Sequence, residues 1–252
     1  MSLSACAAQV ARGDPDRFAA TMAAPEAARA RLWPLYAFNL EIARAPWVTA
    51  EPMIAEMRLQ FWRDVVADGR VPAHEVAGPL VDLIREAALP ADLLDRMIEA
   101  RRWDIWREPF VDVAALDAHI EATSAGLYWV AALALGAAPQ HEAAVRDIGF
   151  AAGLAAWLRA VPELGARGRQ PLPDPRPEAV AALARQGLAR LDRGRTAGLP
   201  RALRPAVLPA WQAGPVLRMA ALDPARVARG ALALPEFSRR WRLLRGAFTG
   251  RI

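Results

Sequence analysis

Apolar residues recur along this chain with the period of a helix and nowhere alternate with the period of a strand. From Pro90 onward, Leu93, Leu94, Met97, Ile98 and Ile105 keep one face, and Asp92 stands four residues before Arg96 on the polar side, a spacing that supports a helix. Pro25 suits the first turn of a helix over about 26–44, and Pro34 inside it predicts a kink or a restart. The same reading predicts helices near 52–68, 76–88, 90–107, 113–136, 140–160, 177–197, 200–221 and 224–247, with polar or Pro/Gly joints. The extended connection Gly165–Pro177 reads as a loop over the mouth of a bundle, or as a domain linker. The expected fold class is all-α, one domain over residues 1–252.

Two stretches stand out. Ala122 to Gln140 carries no charge over nineteen residues, but it is mostly alanine with Gly126, Gly136 and Pro139, so it predicts a central helix buried on all sides rather than a membrane span. The last helix places Phe237, Trp241, Leu244 and Phe248 on one stripe and Arg239, Arg240, Arg242 and Arg245 over much of the rest. Such a helix either docks on the core by its aromatic stripe or lies on an anionic membrane surface.

Composition narrows the chemistry. All 32 basic residues are arginine, which excludes lysine Schiff bases, lysine nucleophiles and lysine-dependent phosphate loops. Charge divides along the chain: residues 1–184 carry net −6, and residues 185–252 carry net +11, with only Asp192, Asp223 and Glu236 as acids. A basic segment of that kind looks for phosphate. Cys6 is the single cysteine, so no internal disulfide or multi-cysteine metal site can form. The N-terminal stretch shows no basic n-region and no long apolar core, so a cytoplasmic location is expected, with peripheral contact at the inner face of a membrane.

No Gly-x-Ser-x-Gly, paired-histidine motif or glycine-rich dinucleotide fingerprint occurs. Gly165-Ala166-Arg167-Gly168 matches a short RNA-clamping loop but lacks the flanking strands that such a loop needs. Carboxylate pairs at helical spacing remain: Asp64 with Asp68, Asp104 with Glu108, and Asp117 with Glu121. Asp64 and Asp104 have aromatic and arginine neighbours that predict partial burial in salt bridges.

A family resemblance follows from ordered landmarks. Leu35-Tyr36-Ala37-Phe38-Asn39-Leu40-Glu41, Arg58-Leu59-Gln60-Phe61-Trp62-Arg63-Asp64, Leu89-Pro90, Ile98-Glu99-Ala100-Arg101-Arg102-Trp103-Asp104, Ala125-Gly126-Leu127, Leu158-Arg159 and Arg167-Gly168-Arg169-Gln170-Pro171-Leu172-Pro173 resemble, in sequence order, the landmarks of the squalene/phytoene synthase family over about residues 15–175. The resemblance implies an isoprenoid-synthase-type bundle around a central apolar cavity. The family's enzymes join two prenyl diphosphates head to head, using Mg²⁺ held by two aspartate-rich motifs. In that pattern the first motif's aspartates fall on Ala43, Arg44 and Trp47, and the second motif's on Ala160 and Leu164, leaving Glu163.

The resemblance thus implies the fold without the metal-dependent reaction, and no cofactor. The runs Ala37–Ala43 and Met57–Trp62 are similar to a non-catalytic branch of the family related to a mitochondrial assembly factor for respiratory complex I. Tyr36, Asn39, Glu41 and Glu163 would be motif remnants. Arg44, Arg159, Arg167 and Arg169 stand where a synthase keeps carboxylates and metal, and are expected to bind phosphate directly. The expected partners are a prenyl diphosphate or lipid, a respiratory-complex assembly partner and an anionic membrane, the last met by Trp241, Arg239, Arg240, Arg242 and Arg245. The alternative is an active prenyltransferase with Mg²⁺ in a rearranged site built from Asp64, Asp68, Asp104 or Glu163. Nucleic-acid binding ranks last, because nothing aromatic is interleaved for base stacking except the terminal stripe.

Overall fold

A computed structural model describes residues 2–69, 73–106 and 108–250. Among them there are helices and no strands, in one helical domain. The order is α1 (Leu3–Gly13), α2 (Pro15–Met22), α3 (Glu26–Arg44), α4 (Pro52–Asp68), α5 (Ala77–Glu86), α6 (Ala91–Ala100), α7 (Arg102–Trp106), α8 (Val113–Ile120), α9 (Gly126–Ala134), α10 (Glu142–Ala166), α11 (Pro177–Thr196), α12 (Arg204–Val207), α13 (Ala213–Leu222), α14 (Ala225–Ala228) and α15 (Glu236–Thr249). A tight turn, Ala45–Trp47, prolongs α3, and a π-helical turn, Glu121–Ala125, joins α8 to α9 without a break.

Local chemistry sets several boundaries. Asp14 caps α2 by accepting from the Arg17 backbone N–H at 2.9 Å, with Pro15 in the first turn. Asp112 caps α8 by accepting from the Ala115 N–H at 2.8 Å. The Asp92–Arg96 pair forms at 2.9 Å, as its spacing predicts. Gly69 ends α4 with φ +61°, a conformation that costs glycine little.

The core is built on α3 and α10. Residues 32–38 of α3 are buried without interruption, and Tyr36 and Phe38 are among the largest fully buried side chains. Helix α10 packs on α9, α11 and α13, and α3 on α1, α5 and α9. Helices α10 and α11 approach closely at Gly194, where an added Cβ would stand 2.7 Å from the Ala144 carbonyl oxygen. The π turn is seated on α10 by Ser124, whose hydroxyl donates to the Gly149 carbonyl at 2.8 Å. Gly126–Ala134 is almost wholly buried, as its composition predicts.

Several expectations need correction. Pro34 does not restart α3, which runs through it unbroken, and Pro162 lies inside α10, which runs six residues beyond the expected 160. Burial along both helices outweighs a local cost of about 3 kcal/mol per interior proline. The expected 90–107 helix turns at Arg101 into two, and its last residue, Arg107, lies outside the described residues. The expected 200–221 and 224–247 helices are each broken into shorter pieces by Pro205, Pro209, Pro215, Gly230 and Pro235. Helices α1 and α2 precede everything that the periodicity predicted.

The aromatic stripe of α15 faces outward. Phe237, Trp241 and Phe248 are 81%, 58% and 81% exposed, so docking by the stripe is overturned. The inner face uses Leu243, packed on Ala20, Leu208 and Trp211, and the buried Gly246. Arg239 completes the attachment through Asp16.

Candidate functional site

The two segments that the resemblance singles out, the end of α3 and the end of α10 with its following loop, meet in the structure. Their junction is Trp47. The Arg167 guanidinium stands 4.7 Å and that of Arg169 5.0 Å from the Trp47 ring centre, both in cation–π range. Arg169 also lies 5.1 Å from the Trp103 ring, and it donates to the Trp103 carbonyl at 3.2 Å and to the Asp104 carbonyl. It therefore holds the carbonyl end of the short helix α7, where positive charge is favoured. The loop is pinned at its far side by Trp157, whose indole N–H donates to the Pro171 carbonyl at 2.8 Å.

Behind Trp47 lies a buried polar cluster. Asp104 is 7% exposed and faces Arg101 and Arg169; burial pushes its carboxyl up, and the two arginines pull it down. Arg101 donates to Asn39 at 3.2 Å, and burial lowers the affinity of its guanidinium for its proton. Aromatic rings close the cluster: Trp103 stacks on Phe110 with centroids 4.6 Å apart, and His119 lies 5.1 Å from Trp157. A cavity of about 540 Å³ opens beside them, lined by Trp106, Phe110 and His119, with Glu99, Arg102 and Glu108 at its charged positions.

Burial, reinforced by Arg101, pushes the His119 imidazole down to about 3 from an ordinary 6.5. The native state thus takes up this proton only near pH 3, while the unfolded chain takes it up near 6.5. The stability that His119 contributes is complete above about 6.5 and is lost as pH falls towards about 3. Asp104, with its carboxyl raised, has the opposite slope. In His119→Phe, the fall in the urea unfolding midpoint between about pH 7 and about pH 4.5 is expected to shrink. An undiminished fall would assign the acid sensitivity to another group.

The sequence candidates are distributed as follows. Tyr36 is buried, with the Arg17 guanidinium 4.8 Å from its ring, and burial pushes its hydroxyl up to about 12. Glu41 accepts from Gln9 and lies 3.9 Å from His74. Arg44 is exposed on α3 and packs over Gly13 of α1. Glu163 pairs with Arg167 at 2.6 Å. Arg159 is exposed, 4.0 Å from Asp16. Of the four arginines, only Arg167 and Arg169 share a partner, and Arg169 is buried.

Among the carboxylates, Asp104 is buried beside arginine as expected. Asp64 is exposed and accepts from Gln60 at 2.7 Å, which corrects its predicted burial. Asp68 is exposed as well. Asp117 and Glu121 are each taken by α11, through Gln186 at 2.6 Å and through Arg190. Of the α15 candidates, Arg239 turns inward to Asp16, Arg242 is half-buried, and Trp241, Arg240 and Arg245 are exposed.

Sequence reasoning missed Asp16, which receives Gln212 at 2.6 Å, Arg239 and Arg159. It also missed a second cavity of about 670 Å³ between α11, α13 and α15. The signal for that cavity was the shortage of acids after residue 184. Neither cavity takes a lining residue from α3, so neither is the central cavity that the resemblance implies.

The squalene/phytoene synthase sequence profile matches residues 10–176. Among curated relatives, the NADH dehydrogenase (ubiquinone) complex I assembly factor 6 of Bos taurus is 28% identical over 172 residues, which are 67% of this chain and 52% of that protein. The Drosophila melanogaster homologue is 29% identical over 174 residues, 64% of this chain and 51% of its own. The chain thus spans about half the length of the curated relatives it matches. Among solved structures, a dehydrosqualene synthase in complex with ligand superposes with a TM-score of 0.80 at 14% identity, covering 96% of this chain and 94% of the other. The squalene synthase HpnC from Alicyclobacillus acidocaldarius superposes with a TM-score of 0.64 at 15% identity, covering 98% and 94%. At these identities the structures share the fold.

Proposed function

Because this chain belongs to the squalene/phytoene synthase family, we propose that it uses the family's helical bundle as an accessory factor in the assembly of a respiratory complex at a membrane surface, and does not catalyse prenyl transfer. The junction at Trp47 carries the reading. Magnesium needs several oxygen donors around it. At this end of the bundle, Trp47 carries two guanidinium groups on its ring, and the acid beside them, Glu163, is already paired with Arg167. Among the described residues, no three His, Cys, Asp or Glu side chains stand close enough to hold a metal ion. These residues do not fit a magnesium cluster.

The assembly role is supported by the curated relatives, each of which is an assembly factor of complex I. No described helix is long and apolar enough to cross a membrane, so the membrane contact we propose is peripheral and made by α15. A prenyl diphosphate or lipid remains the proposed small ligand of the α10 end, with the exposed Arg159 and Arg167 as its phosphate contacts. Purified protein incubated with Mg²⁺ and farnesyl diphosphate is expected to release no diphosphate above the buffer rate. Protein-dependent, Mg²⁺-dependent release would overturn the non-catalytic reading.

A further inference from the structure

The cavity between α11, α13 and α15 is built for an anion. Five arginines line it: Arg195 from α11, Arg204 from α12, Arg218 from α13, and Arg242 and Arg245 from α15. Among the described residues no acidic side chain lines it. Asp192 reaches Arg195 from outside at 3.4 Å, and among the described residues the other four arginines make no ion pair. The guanidinium ends of Arg195 and Arg218 converge, since a Cβ on Gly214 would stand 3.1 Å from the one and 3.5 Å from the other. Arg204 lies against the backbone of Gly250, whose φ of +69° and missing side chain leave room for it.

Unused donors complete the wall. Trp211 is 4% exposed and its indole N–H has no acceptor among the described residues; the same holds for the Arg195 Nε–H. Arg242 donates to the Ser238 hydroxyl at 3.4 Å, a long contact that leaves most of its donors open. Burial and the charges of Arg218 and Arg242 weaken the hold of Arg195 on its proton, the mark of like charges brought together with too little opposing charge. Apart from Thr249, the remaining side chains of the wall are apolar, among them Ile148, Leu199, Val207 and Pro215.

We propose that this cavity is the binding site of an organic phosphate anion, with phosphate oxygens held by Arg195, Arg204, Arg218 and Arg242 and the organic portion against Ile148, Leu199, Val207 and Trp211. A carboxylate would satisfy one guanidinium fork; five arginines lining one cavity match the several oxygens and multiple charge of a phosphate ester or diphosphate. The site is separate from the Trp47 junction. Ile148 and Arg159 are eleven positions apart on α10, or about 16 Å along its axis. The anion comes from a soluble phosphate ester or from the headgroup of a membrane lipid, since α15 forms one wall of the cavity and also carries the exposed stripe.

The test is calorimetric titration of the full chain with inorganic pyrophosphate and, separately, with monomeric dihexanoyl phosphatidylglycerol. Saturable binding is expected for at least one; pyrophosphate alone assigns a soluble phosphate ester, and the lipid a headgroup. Arg195→Gln/Arg218→Gln is expected to weaken that binding by about tenfold or more. Its melting temperature should not fall, because the substitution relieves repulsion. Arg218→Gln alone, at an exposed position, gives the same comparison with little structural change. In an Arg159→Ala/Arg167→Ala background, Arg218→Gln is expected to weaken the remaining binding by the same factor, which separates this site from the α10 end. No saturable binding of either probe, or equal binding by the Arg218→Gln variants, would overturn the assignment.

Discussion

Arg169→Ala is expected to lower the unfolding free energy by about 3 kcal/mol or more, and Arg167→Ala by less than about 1 kcal/mol. The two residues are neighbours on one loop and share the Trp47 ring, yet their surroundings differ. Arg169 is 5% exposed, serves the carbonyls of Trp103 and Asp104, and opposes the buried charge of Asp104. Its removal leaves two buried acceptors without this donor and a carboxylate with Arg101 as its remaining counter-charge, a class of change that costs several kcal/mol. Arg167 is exposed, and its pairing with Glu163 is a solvent-screened i, i+4 contact. Urea denaturation of the two variants separates them. Equal effects would mean that the buried network behind Trp47 does not bear on stability as its geometry implies.

Phe237→Ser/Trp241→Ser/Phe248→Ser is expected to weaken binding to phosphatidylglycerol-containing vesicles by about a hundredfold or more, with an unchanged melting temperature. These rings are already in water, so their loss takes nothing from the core. On a membrane each would bury roughly 100 Å² of apolar surface, worth about 2.5 kcal/mol. Arg240→Gln/Arg245→Gln is expected to cost a smaller, salt-dependent amount, about 1 kcal/mol for each charge. Vesicle sedimentation across a salt series checks both. Failure of the parent protein to sediment with anionic vesicles would remove the membrane from its proposed role.

How far the sequence could be read depended on whether the deciding interaction was local. Helices α3, α4 and α11 were legible within a residue or so, since their apolar spacing and first-turn prolines are local properties. Pro34 and Pro162 misled because their penalty is local, whereas the burial that outweighs it comes from helices distant in sequence. Pro205, Pro209 and Pro215 punctuate the sequence where the expected 200–221 helix divides, a local signal that the apolar periodicity across them masks.

The site divides the same way. Trp103-Asp104 flanked by arginine correctly signalled a buried charge, but nothing in Arg167-Gly168-Arg169 tells which guanidinium is buried. Periodicity put Phe237, Trp241, Leu244 and Phe248 on one face of α15 without saying where that face points. Leu243 and Gly246, which do face inward, look unremarkable in sequence.

The contact between Asp16 and Arg239 joins residues 223 positions apart. During synthesis, Asp16 emerges with α2 and its partners follow in turn: Arg159, then Gln212, and last Arg239. Ala20 of α2 packs with Leu208 and Trp211, and Leu243 of α15 adds to that cluster last. The Arg239 contact therefore closes the longest loop of the three, and its formation is limited by loop closure rather than by helix formation. With that step Arg242 and Arg245 of α15 join the three arginines already on the cavity wall.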